Sequence, residues 1–170
     1  LPISTTTNIE DLDITRSQVH NKLIKLKEEK SPGPDNVHPK VLKEMANVLD
    51  TPLTILFNAS LKSGILPEDW KQADVTAIYK KGSKLDTGNY RPVSLTSVPC
   101  KIMESLIRDS LLRHCEINNF MSADQHGFTQ NRSCLTNLLE TLEEWTEALN
   151  DGYGLDAIFL DYQKAFDTVP

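Results

Sequence analysis

The chain has 170 residues, 39% of them hydrophobic and 25% charged, and a formal net charge of −6. That length suits one ordinary domain or part of a larger one, and the composition is that of a soluble globular protein. No apolar run approaches the roughly 18 residues of a membrane span, and the start, Leu1-Pro-Ile-Ser-Thr-Thr-Thr, lacks the basic region and apolar core of a signal peptide, so an intracellular location is expected.

Residues 1–14 are polar and aperiodic and read as a lead-in without an anchor. Thr15-Arg-Ser-Gln18 has the spacing of a capping box. Behind it, Val19, Leu23, Ile24 and Leu26 mark one face of a helix running to about Lys30. Ser31-Pro-Gly-Pro-Asp35 then breaks the chain, because two prolines around a glycine cannot continue a helix. Pro39 can open the next helix, with Val41, Leu42, Met45 and Leu49 inward. Pro52 can open another, with Leu53, Leu56, Phe57 and Leu61 inward and Gly64 as its stop. Leu66-Pro-Glu-Asp-Trp70 reads as a compact turn with Trp70 as a core anchor.

The hydrophobic period then changes. Residues 75–80 read as a strand, 81–89 as a polar, Gly-containing loop, and 90–96 as the partner strand, giving a β-hairpin with a long basic tip. Pro92 points to an edge position or to the first residue of regular pairing. A helix is predicted over 99–115, with Ile102, Met103, Leu106, Ile107 and Leu111 apolar. Ser122-Ala-Asp-Gln125 is a second capping-box spacing, cut short by Gly127. The longest helix follows residues 131–133, and in it Leu135, Leu138, Leu139, Leu142, Trp145 and Leu149 keep a 3.6-residue period. Gly152 and Gly154 end it, and an apolar strand over 155–160 delivers Asp161.

The three cysteines, Cys100, Cys115 and Cys134, lack CxxC spacing, so mostly buried, reduced thiols without a disulfide partner are expected. His114, Cys115, His126 and Cys134 match no familiar zinc spacing. An acidic total is awkward for a protein of nucleic acid, whose phosphate-binding surface should be basic. The charge is uneven, however. Lys71, Lys80, Lys81, Lys84 and Arg91 outnumber Asp74 and Asp86 around the hairpin, whereas Glu140, Glu143, Glu144 and Glu147 read as a solvated helix face.

Asp161 at the end of an apolar strand has two plain readings, a cap for whatever follows or a metal-binding carboxylate. The same pattern opens the aspartyl phosphotransferases, but those need a second Asp two residues on, and Gln163 stands there. Asp167 is more economically a helix-start or turn residue than a metal partner of Asp161. Lys80, Lys81 and Arg91 lie on or beside the two strands of the hairpin. They could meet a triphosphate, lysine as a point charge and arginine as a two-pronged donor; for Lys84 a solvated tip is the simpler account.

Five segments, in order, carry a resemblance: Ser31-Pro-Gly-Pro-Asp35; Leu66-Pro-Glu-Asp-Trp70 running into Ile78-Tyr-Lys-Lys-Gly82; Asn89-Tyr-Arg-Pro-Val-Ser-Leu95; Gln125-His-Gly-Phe128; and Phe159-Leu-Asp-Tyr-Gln-Lys-Ala-Phe-Asp167. From about residue 25 onward the chain resembles the N-terminal half of a reverse transcriptase of the non-LTR retrotransposon type, close to the jockey and chicken-repeat groups of LINE elements.

The resemblance implies an α/β (α+β) fold: a partial right-hand polymerase with helical fingers, a β-hairpin and the first palm strand. Residues 1–30 would be a lead-in and helix, 31–150 the fingers and finger–palm connection, and 151–170 the truncated start of the palm. It implies an RNA-directed DNA polymerase acting on an RNA template, a DNA primer and a dNTP, with two Mg²⁺ ions, or Mn²⁺ in their place. Asp161 matches the first catalytic aspartate, a ligand of both metals, and the Tyr162 backbone carbonyl would help hold one. Phe166 matches the ring beneath the sugar that excludes a 2′-hydroxyl. Arg91 matches the finger arginine on the triphosphate, and Lys80 the finger lysine, with Lys81 as the alternative. Gln125, Gly127 and Phe128 match a segment near the template and the nucleotide pocket. The family's Tyr-x-Asp-Asp turn is absent. With Leu1 as the first residue and a stop at Pro170, a fragment at both ends is expected, inactive on its own. The alternative is a catalytically inactive retroelement remnant, acting at most as a nucleic-acid-binding module.

Overall fold

Thr15 opens the first helix in this computed structural model, which describes residues 12–162. The chain divides into two units between Phe120 and Met121. In the first, α1 (Arg16–Ile24) starts on the expected capping box. The Thr15 hydroxyl accepts the Gln18 N–H at 3.4 Å, and the Gln18 amide oxygen accepts the Thr15 N–H at 2.8 Å. The helix stops short of Lys30. The Leu26 N–H closes a tight last turn on the Leu23 carbonyl at 3.1 Å, and Glu28 pairs with Lys43 at 2.8 Å.

Helix α2 (Pro39–Glu44) has Pro39 at its start, and the His38 ring accepts the Lys40 N–H at 3.2 Å. Helix α3 (Ala46–Ser63) departs from the expected boundary, because Pro52 lies inside it and the break falls at Met45. A proline removes one backbone donor, and packing holds the helix across that gap. Ala46, Asp50, Phe57 and Ser60 form a buried stripe that continues on both sides of Pro52. Gly64 ends α3 at φ +67°, a left-handed stop that favours glycine.

Strands β1 (Asp74–Tyr79) and β2 (Tyr90–Leu95) form an antiparallel hairpin, Tyr79 opposite Tyr90 and Ile78 opposite Arg91. Pro92 is tolerated because each strand of a two-stranded sheet is an edge. Ser97 caps α4 (Val98–Ile117) by accepting the Cys100 N–H at 3.3 Å.

The core of this unit gathers Ile14, Val19, Leu23, Leu42, Ala46, Phe57, Trp70, Val98, Ile102, Met103 and Leu106. Trp70 is the anchor expected of it, its ring 5.7 Å from that of Phe57. Ile24, Val41, Met45 and Leu56, expected on the inner faces, are exposed, because α1, α2 and α3 bury narrower stripes than the apolar pattern suggests. One buried carboxylate ties α3 to α1. Asp50 lies 2.9 Å from the Arg16 guanidinium and 3.2 Å from the His20 ring. Burial pushes its carboxyl up, but Arg16 and the Thr51 hydroxyl outweigh that and hold it below its ordinary range.

The second unit contains α5 (Cys134–Asn150), which opens on a capping box of Ser133 and Thr136. Residues 122–125 form a turn. The Gln125 N–H bonds the Ser122 carbonyl at 3.1 Å and no helix follows. The apolar stripe of α5, Leu135, Leu138, Leu139, Leu142 and Leu149, is exposed. The expected strand over 155–160 is not formed, and residues 153–162 have no regular structure. A strand must satisfy its backbone groups on a partner, and no strand is present among the described residues of this unit. Ile158, Phe159 and Leu160 are consequently 84–91% exposed. Among the described residues no helix is long and apolar enough to cross a membrane.

Candidate functional site

The hairpin tip is tied by hydrogen bonds of its own. The β ladder gains one bond beyond Tyr79, with the Lys80 N–H donating to the Asn89 carbonyl at 2.8 Å. The Tyr79 hydroxyl donates to the Gly82 carbonyl at 2.5 Å, the Tyr90 hydroxyl to the Lys84 carbonyl at 2.9 Å, and the Asn89 amide to the Ser83 carbonyl at 2.9 Å. The two tyrosine rings meet edge to face at 5.7 Å, and the Lys84 ammonium lies 5.7 Å from the Tyr79 ring. Gly82 sits at φ +90°, and a Cβ there would lie 2.7 Å from the Asn89 amide nitrogen, so the Asn89 side chain would have to leave its bond to Ser83. Two tyrosines and an asparagine therefore hold the loop whose ends carry Lys80, Lys81 and Arg91. Those three side chains are exposed, and none takes part in an ion pair among the described residues.

In the second unit, Gln125, Gly127 and Phe128 share one turn. The Gln125 amide donates to the Gly127 carbonyl at 2.9 Å. Phe128 adopts a left-handed backbone, φ 59°, and its ring is 92% exposed. Such a conformation is costly for an aromatic residue and persists where the surroundings impose it. His126, between them, is buried and bonded on both ring nitrogens, to Thr136 and Glu140 of α5, each at 2.9 Å. In the sequence it stands out only within Gln125-His-Gly-Phe128 and in the His114, Cys115, His126 and Cys134 set, which matches no familiar zinc spacing.

Asp161 and Tyr162 are exposed at the end of the irregular segment. Phe166, Gln163 and Asp167 lie outside the described residues. The described residues contain no cluster of three or more His, Cys, Asp or Glu side chains able to hold a metal, and none forms around Asp161. Its carboxylate is the hard oxygen donor that Mg²⁺ prefers, one ligand where near-octahedral coordination asks for several. Of the cysteines only Cys100 is buried; Cys115 is half-buried and Cys134 exposed. Burial, with Glu104 beside it, pushes the Cys100 thiol up to about 11, which makes it an inert core residue.

Residues 78–170 match the family of reverse transcriptase (RNA-dependent DNA polymerase). The chain belongs to the reverse transcriptase family. The matched region runs from the end of β1 through the Gln125–Phe128 turn to the segment with Asp161. Similarity to single proteins extends further toward the start. The RNA-directed DNA polymerase from mobile element jockey of Drosophila melanogaster is 33% identical over 158 residues, 92% of this chain and 17% of that protein. The probable RNA-directed DNA polymerase from transposon BS of the same fly is 33% identical over 141 residues, 82% of the chain and 16% of that protein. The jockey polymerase of Drosophila funebris is 30% identical over 157 residues, 92% and 17%. The chain thus spans about a sixth of the length of these relatives. Its mixed architecture, helices with one antiparallel hairpin, suits the fingers and palm of a reverse transcriptase.

Proposed function

We propose that this chain is part of an RNA-directed DNA polymerase of a non-LTR retrotransposon, and that its hairpin meets the phosphates of the incoming nucleotide. The observation that carries the reading is the family match over residues 78–170, which contains the hairpin, the Gln125–Phe128 turn and Asp161 together. The tied tip supports it: a loop held by Tyr79, Asn89 and Tyr90 fixes the backbone that carries three exposed cations, none in an ion pair among the described residues. Residues 31–150 would be fingers and finger–palm connection, and 151–170 the start of the palm.

In the whole polymerase, on an RNA template, a DNA primer 3′-hydroxyl attacks the α-phosphate of a dNTP and pyrophosphate leaves. Lys80, or Lys81 in its place, and Arg91 would offset triphosphate charge, arginine through two parallel hydrogen bonds. Gln125, Gly127 and Phe128 would border the template and the nucleotide. Asp161, with the Tyr162 carbonyl, would be a ligand of divalent ions, which when bound lower the charge on the attacking and leaving oxygens. Phe166 would exclude a 2′-hydroxyl by its bulk.

A second reading, a catalytically inactive piece that binds nucleic acid, is favoured for the isolated chain by one observation: Asp161 is exposed and belongs to no carboxylate cluster among the described residues. Primer extension by the 170-residue chain should be absent, and robust synthesis would overturn that reading. Salt-dependent binding tests whether the hairpin of the isolated chain touches nucleic-acid phosphates. If Lys80, Lys81 and Arg91 each neutralise one phosphate, they contribute a slope of about −2 to −3 to the log–log salt dependence, a loss of roughly 20- to 40-fold for a fourfold rise in salt. Replacing all three with glutamine should remove that share of the slope in fluorescence anisotropy on an RNA–DNA template–primer. A slope untouched by the triple substitution refutes a hairpin contact with the nucleic acid, whereas a dNTP affinity unchanged by the same substitution in a longer, active polymerase refutes the contact with the incoming nucleotide.

A further inference from the structure

His126 is the one histidine of the second unit with both ring nitrogens engaged, and the proposed chemistry leaves it without a task. It is buried among exposed neighbours, 6% accessible beside a Phe128 that is 92% accessible. Its Nδ1 lies 2.9 Å from the Thr136 hydroxyl on the first turn of α5, and its Nε2 2.9 Å from a Glu140 carboxylate oxygen one turn on. The Thr136 hydroxyl is also 2.9 Å from the Ser133 carbonyl and accepts the Ser133 N–H at 2.9 Å, so it is held at the start of α5. Both ring nitrogens are therefore engaged, Nδ1 by Thr136 and Nε2 by Glu140, so the ring is tied to two positions one turn apart on α5. Arg132, 3.2 Å from Nε2, has its own acceptor in the Ala123 carbonyl, which closes the turn from the other side. Glu140 and Arg132 are the charged groups within hydrogen-bonding reach of the ring among the described residues.

These contacts cross the turn at its middle. One side is Ala123 and Arg132, the other Thr136 and Glu140, and His126 joins them. The left-handed residues Phe128 and Asn131, at φ 59° and 60°, lie between the two anchors. A short polar turn with exposed tips would ordinarily be mobile, and a strained Phe128 would not persist in it unaided.

We propose that His126 is a positioning residue, a latch that fixes the turn bearing Gln125 and Phe128 to α5 and so sets where those two side chains stand for template and nucleotide. What the turn serves rests on the polymerase reading; the latch does not.

Hydrogen exchange on the whole chain tests the latch. In His126→Ala and Glu140→Ala, amides of residues 124–131 should exchange about ten-fold faster than in the parent, the effect of losing one charge-assisted bond. Glu140→Gln, which keeps an acceptor, should restore most of the protection, and the amides of α1, α3 and α4 should not change. Unchanged exchange of the turn in His126→Ala, or equal acceleration across all of α5, overturns the latch. Affinity for an RNA–DNA template–primer tests the positioning role. His126→Ala should weaken binding about ten-fold, with Glu140→Gln near the parent. Faster exchange with parent-like affinity overturns that role and leaves a purely structural contact. Absence of binding by the parent itself counts against the polymerase reading, while the exchange result still decides the latch.

Discussion

Gly33 is where the broken segment of residues 31–35 meets the base of the hairpin, and adding one methyl group there tests that junction. A Cβ on Gly33 would lie 2.5 Å from the Thr96 carbonyl oxygen and 2.6 Å from both the Thr96 carbon and the Ser97 nitrogen. All three are backbone atoms, so no side chain can swing away, and the contact must open by about 1 Å to become ordinary. Forcing a methyl into a filled site costs roughly 1–3 kcal/mol. Ser97 is also fully buried and caps α4, and displacing it puts a further ~1 kcal/mol at risk. Gly33→Ala should therefore cost about 2–4 kcal/mol, a fall in urea midpoint of about 1–2 M for an m-value near ~2 kcal/mol/M. Trp70 fluorescence in a Trp145→Phe background reports on this unit alone. Gly64→Ala is the comparison: its φ of +67° strains an alanine, but nothing lies within 4 Å of the added carbon, so about 1 kcal/mol is expected. A Gly33→Ala variant no less stable than Gly64→Ala would show that the junction is loose and the packing argument wrong.

Phe57 is fully buried against Trp70, so Phe57→Ala should cost about 3–5 kcal/mol by urea unfolding and red-shift Trp70 emission; a loss under ~1 kcal/mol would contradict the core as described. Asp50 has a folded-state pKa below its ordinary value, so its contribution is present above the usual carboxylate range and disappears as pH falls through the depressed folded value. The parent should exceed Asp50→Asn in stability at neutral pH and converge with it in acid, and a gap independent of pH would rule the charge out as its source. In a longer, active polymerase carrying this segment, Phe166→Ala should raise ribonucleotide incorporation, and an unchanged preference for dNTPs sinks the steric assignment. Asp161→Ala in the same enzyme should abolish extension with no change in melting, since the side chain is exposed; activity near the parent level refutes its role as a metal ligand.

Local chemistry was legible in the sequence wherever it is decided over a few residues. The Thr15 box, the Gly64 stop, the Trp70 anchor and the two strands of the hairpin all follow from patterns within reach of one turn or one strand pair. Pro52 shows where that reasoning runs out. A proline reads as a helix start, but the stripe from Ala46 to Ser60 is buried by contacts with other elements, and those outweigh one missing donor. Residues 155–160 show the converse. Their composition is that of a strand, yet a strand is a property of two segments, and the described part of the second unit offers none. His126 was illegible for a third reason. Its partners are ten and fourteen residues away, on a helix whose orientation to the turn no short pattern encodes.

The acidic total stands against a phosphate-binding role only if total charge decides, and the distribution of ion pairs indicates that it does not. Among the described residues, the lysines and arginines with acidic partners are Arg16, Lys22, Lys43, Lys71 and Arg108, from helices and one helical turn; none belongs to the hairpin loop or its strands. Charges more than about 8 Å from a bound phosphate are largely screened at physiological salt, so the glutamates of α5 add little unless they come that close. What a phosphate would meet at the hairpin is Lys80, Lys81 and Arg91, exposed and held by a loop that two tyrosines and an asparagine keep in shape. A net charge of −6 then bears on solubility and long-range encounter, and the ordered tip on contact.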